Sequence, residues 1–115
     1  MTNSDKLLER LVKRVNDNGV FLDITITISG SLITGRLAPR GAWLATIAEE
    51  LESSDSPDFA NDFKAEAGAL DTTEYVHLSG GRVLHGTISL PTKGGLFRAP
   101  VSSVEAWTIG RIGSS

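Results

Sequence analysis

The chain has 115 residues, 40% of them hydrophobic and 22% charged, with a net charge of −3 and no cysteine. That is the size and composition of one soluble globular domain, large enough to need no disulfide or metal staple. Thiol catalysis and a disulfide framework are excluded, and no apolar run approaches the ~20 residues of a membrane helix.

The polar start, Met1 to Lys6, does not read as a signal peptide, and a cytoplasmic protein is expected. Residues 4–18 have helical periodicity: Leu7, Leu8, Leu11, Val12 and Val15 fall on one face, with Ser4 as N-cap and Asn18-Gly19 as the stop. Residues 21–39 switch to period two and read as a hairpin. Leu22, Ile24, Ile26 and Ile28 face a core, Asp23, Thr25 and Thr27 face solvent, and Ser29-Gly30-Ser31 makes the turn. Gly35 sits inside the returning strand, where glycine marks a bulge or bend.

Residues 40–70 form an acidic helical insert. Trp43, Leu44, Ile47 and Leu51 stripe its first helix. Ser56-Pro57-Asp58 opens a second, with Phe59, Phe63 and Leu70 toward the core. Residues 73–112 supply a second hairpin and the closing strands. Here Val76 to Ile88 repeats Ile26 to Leu37: apolar strand, Ser-Gly turn at Ser79-Gly80-Gly81, and a returning strand bent at Gly86. Pro91 to Gly95 reads as a turn, and Leu96 to Val101 as a strand that Pro100 confines to an edge or end. Ser102 to Glu105 makes one helical turn and Trp107 to Ile112 the last strand. Trp43 and Trp107 are both expected to be buried. The fold class is α+β: a small, strongly bent antiparallel sheet or an SH3-like or Sm-like barrel, with an N-terminal helix and a helical insert.

The search for chemistry finds no reagent. There is no nucleotide-binding fingerprint. His77 and His85 flank one turn, and with Glu74 they are the only metal candidates. Two imidazoles on an exposed sheet face account for them better, since no third ligand has defined spacing. Ser102, Ser103 and Glu105 resemble a hydrolase only in composition. No enzyme, cofactor or metal site is expected.

Charge is the informative feature. Residues 49–74 carry nine acids and one base, net −8, and the rest carries ten bases and five acids, net +5. Glu49, Glu50, Glu52 and Asp55 are the candidate acidic contacts, and Arg36, Arg82 and Arg98 a candidate basic strand-face patch. The net charge has the wrong sign for nucleic acid, and a three-arginine patch neutralises few phosphates. A module binding RNA or a peptide is the alternative to a protein-interaction domain.

Four segments carry a resemblance: Gly19 to Ile26 through Gly35, Tyr75 to Leu78, Pro91 to Arg98, and Val104 to Ile112. In their pattern and order the chain resembles the gas vesicle accessory protein U family. None of these segments is a catalytic motif. The family's charged middle region is matched by Glu49 to Glu74, whereas its basic, serine-rich tail has no counterpart up to Ser115. The resemblance implies a non-enzymatic accessory role in gas vesicle assembly or clustering. The implied partners are gas vesicle proteins or a second copy of the chain.

Overall fold

The computed structural model describes residues 5–69, 73–85 and 88–112, with backbone only at 85 and 88–94. Three helices, α1 (Lys6–Asn18), α2 (Arg40–Glu52) and α3 (Ala60–Ala67), pack on five strands, β1 (Leu22–Ile28), β2 (Ser31–Leu37), β3 (Tyr75–His85), β4 (Ile88–Pro100) and β5 (Ala106–Ile109). The described sheet is open and antiparallel, in the order β4-β3-β2-β1-β5. Of the two architectures left by the sequence, the described strands form the open sheet rather than the closed barrel.

Helix α1 is capped one residue later than expected: the Asp5 carboxylate accepts from the N–H groups of Leu7 and Leu8, while Ser4 lies outside the described residues. Those bonds and one from the Trp107 indole, the largest cause, hold the Asp5 carboxyl below its usual range. Gly19 closes the helix at φ 65°. Leu8, Val12 and Val15 are buried against one face of the sheet, in a core with Ile24, Ile26, Leu37, Val76 and Leu78. Leu7, expected on this face, is instead exposed.

The β1–β2 hairpin turns on two residues, Ser29 (φ 50°) and Gly30 (φ 81°), and pairs Ile28 with Ser31. Positive φ at both central positions matches the right-handed twist of the strands. The second half of the repeat folds differently. Ser79-Gly80-Gly81 is no turn: β3 runs through it as one strand, with register shifts against both neighbours. The paired strand of Val76 and Leu78 is β4, through Ala99 and Phe97, rather than residues 83–88. Pro91 to Gly95 likewise lies within β4. The expected bend at Gly86 lies outside the described residues. As anticipated, β4 is a sheet edge ending at Pro100.

The shift has a packing cause. A Cβ on Gly35 would stand 2.9 Å from the Gly81 Cα and 3.2 Å from the Ser79 carbonyl oxygen. A Cβ on Gly81 would stand 2.6 Å from the Phe97 ring. Two backbones and a phenyl ring thus meet where only glycine fits.

Helix α2 starts at Pro39 without a side-chain cap of its own. Asn16, on α1, accepts from the Arg40 N–H at 2.8 Å and supplies the missing partner. Trp43 and Leu44 then bury with Ala38 in a second core on the opposite sheet face, with Ile47, Phe63 and Leu96 packed around them. Pro57–Phe59 is a 3-10 turn preceding α3, and Phe59, expected in the core, is 58% exposed. The equally expected Leu70 lies outside the described residues. Trp43 is buried as expected; Trp107 is half-buried, and its indole N–H donates to Asp5 at 2.8 Å.

Candidate interaction surface

The second face of the sheet is neither solvated nor a plain core. Register aligns Thr108, Thr25, Thr34 and Arg82 in one cross-strand row, and Asp23, Arg36 and Ser79 in the next. Opposed residues project to the same side. Thr25 and Thr34, read from sequence as solvent-facing for the first of the pair, are buried because residues 110–112 pass over them. The Thr25 hydroxyl reaches the Gly110 carbonyl at 2.9 Å, and Ile112 N–H donates to Thr34 at 2.9 Å. The two hydroxyls lie 3.0 Å apart. Each hydroxyl has one proton, so Thr34 donates to Thr25 and Thr25 to Gly110.

Arg111 is fixed by the same crossing, its guanidinium donating to the Gly80 carbonyl at 3.2 Å. It joins Arg36 in lining a shallow cleft with Phe21, Asp23 and Ile109. Arg36 is exposed, with its guanidinium 4.6 Å from the Phe21 ring centroid. Arg82 stands opposite Thr34, and the buried Nε atoms of Arg82 and Arg111 have no acceptor. No carboxylate forms an ion pair with Arg36, Arg82 or Arg111 among the described residues. Arg111 belongs to this group; its place at the end of an alternating strand gave no sign of it.

Arg98 stands apart from the other two predicted bases. It lies across from His77, 4.1 Å over the Tyr75 ring and 3.5 Å from Glu66. Glu66 also takes the buried Arg40 guanidinium at 2.8 Å, which ties α3 to α2. That hydrogen bond is the main reason its carboxyl sits below the usual range.

The acids lie at the far end of α2. Glu49, Glu50 and Glu52 are exposed on the helix and Asp55 on the loop after it. Glu52 pairs with Lys64 of α3. Glu49, Glu50 and Asp55 have no ion-pair partner among the described residues, and the exposed Asp58 and Asp62 extend the patch.

His77, expected on a solvated face, is 2% exposed under α2. Its ring centroid is 5.0 Å from that of Trp43, and its Nε2 has no hydrogen-bond partner. Burial, then the charges of Arg98 and Arg40, pushes its pKa down from 6.5 to about 4, against a smaller opposing pull from Glu66. The His85 side chain lies outside the described residues, and no described group of three His, Asp or Glu stands together to hold a metal.

A pH dependence follows. Unfolded, His77 binds a proton near pH 6.5; folded, it resists until about pH 4. Its contribution is fully present above pH 6.5 and is lost as pH falls toward 4, at up to about 1.4 kcal/mol per pH unit. Asp5 and Glu66, lowered from ordinary values of 3.8 and 4.5, act mainly below that window. Denaturant unfolding from pH 7 to 4 is expected to show this slope in the native chain and to lose it in His77→Gln. An unchanged slope in the variant would assign it elsewhere.

The model of one protein family, described as gas vesicle protein GvpU-like, matches residues 5–112. The chain belongs to this GvpU-like family. It is thus a gas vesicle-related protein, and the match spans all five strands and all three helices of the fold. No curated protein and no solved structure matches it. No described helix is long and apolar enough to cross a membrane.

Proposed function

We propose that this GvpU-like chain is a non-enzymatic accessory protein that modulates gas vesicle assembly or clustering through weak, charge-dependent contacts. Its partners are a second copy of itself or a protein on the vesicle, and it acts in the cytoplasm beside the vesicle. One observation carries the reading: exposed acids at one end of α2, of which Glu49, Glu50 and Asp55 have no ion pair among the described residues, and arginines across the second sheet face that likewise lack one there, lie on the same molecule. Glu49, Glu50, Glu52 and Asp55 meet Arg36 and Arg82, with Arg98 at the margin, on a neighbouring molecule. Such a contact uses two different surfaces, so it need not close into a ring or dimer. The exposed charges are screened beyond ~8 Å at physiological ionic strength, which makes the contact weak and adjustable.

Sedimentation velocity across a salt series tests this. Association is expected at low salt, to fall steeply as salt rises, and to weaken when Glu49, Glu50, Glu52 and Asp55 become Gln or Asn. The fold is expected to survive, because all four side chains are exposed. Association indifferent to both salt and substitution would replace the charge contact with an apolar one.

A further inference from the structure

Phe59 is the most exposed large apolar side chain described, at 58%. It projects from the 3-10 turn Pro57–Phe59, between the exposed Asp55 and Asp58 on one side and Asp62 on the other. The ring stands among exposed acids in the sequence and joins neither of the described core clusters. At the other end of α2 lies a groove of about 240 Å3 whose walls include Phe21, Arg36, Ala42, Trp43, Thr46 and Leu96. Its floor is apolar and aromatic. Its open rim carries Arg36, which has no carboxylate partner among the described residues, and Arg111 follows in the adjoining cleft. Ala42 and Thr46, on its helical wall, are exposed.

We infer that the groove between α2 and the second sheet face receives the Phe59 turn of a second copy of this chain. The ring enters the apolar floor, and Asp55, Asp58 and Asp62 fall against Arg36 and Arg111. Charge agrees: an aromatic side chain flanked by three exposed acids meets an aromatic-lined groove with Arg36 on its wall and Arg111, beside Asp23, in the adjoining cleft. Within one molecule the two stand apart along α2: the groove is lined from Ala42 to Thr46 in its first half, and the Phe59 turn follows its last residue, Glu52. The inference rests on the self-association proposed above and supplies what that reading lacks, a desolvated anchor that fixes register while charges steer the approach.

The test uses two variants of the full chain, Phe59→Ala, which removes the ring, and Ala42→Trp, which fills the groove. Both positions are exposed, so both variants are expected to melt like the parent. In sedimentation at low salt, each alone is expected to lose self-association by about tenfold or more. Mixed, they are expected to recover a one-to-one pair, since each retains the half the other lacks. Parental self-association of Phe59→Ala, or no pairing in the mixture, overturns the inference. If the charge substitutions weaken association while Phe59→Ala does not, the proposed function stands and only the anchor falls. If the parent chain shows no association at low salt, both fall.

Discussion

Trp43→Ala is expected to lower the unfolding free energy by roughly 3–5 kcal/mol. Trp43 is 5% exposed and centres the core on the second sheet face, between Ala38, Leu44, Ile47, Phe63 and Leu96. Its indole N–H donates to the Leu78 carbonyl at 3.2 Å, and its ring lies 5.0 Å from the His77 ring. Truncation therefore leaves a cavity and removes the wall that keeps water from His77. Domains of this size are stable by about 5–15 kcal/mol, so the loss endangers the fold. Trp43→Phe keeps most of the volume and is expected to cost less. Chemical denaturation of the three proteins measures both. A Trp43→Ala chain of parental stability would mean that α2 does not need this core to stay on the sheet.

Gly35→Ala is the second large effect expected, at about 1–3 kcal/mol, from a single added methyl group. The group would stand 2.9 Å from one backbone atom and 3.2 Å from another, and backbone cannot rotate aside as a side-chain end can. Positive φ is not the reason, for Gly35 is not among the residues with positive φ. The prediction thus separates two uses of glycine. A melt of Gly35→Ala at parental temperature would show that β2 and β3 separate at the bulge without cost.

Much of the fold was legible because its signals are local. The amphipathic stripe of α1, the Asn18-Gly19 stop and the Ser29-Gly30 turn need no distant partner to decide them. The second copy of the hairpin pattern misled for the same reason. Ser79-Gly80-Gly81 between apolar residues suits a turn or a bulge equally well, and the choice is made by Gly35 and Phe97, far away in sequence. Phe59 was misplaced because Pro57–Phe59 winds as a tighter 3-10 turn, which rotates its face relative to α3 and leaves Phe63 to pack. His77 alternated correctly onto the second face; that α2 covers this face is a tertiary fact. Charge alone marks Glu49, Glu50 and Asp55 as candidate contacts in the sequence. The pairing of Glu52 with Lys64, the diversion of Arg98 to Glu66 and the recruitment of Arg111 required coordinates.

In the proposed function, opposed charge surfaces bring this chain to gas vesicles. Flotation tests it most directly, because vesicles are buoyant and a bound protein rises with them. Purified vesicles are mixed with the chain, or with its Glu49, Glu50, Glu52 and Asp55 substituted form, at low and high salt. The parent chain is expected in the floating layer at low salt and to be lost from it at high salt, with reduced recovery of the substituted chain at low salt. Equal recovery of both forms at every salt concentration, or no recovery of either at any, would contradict it.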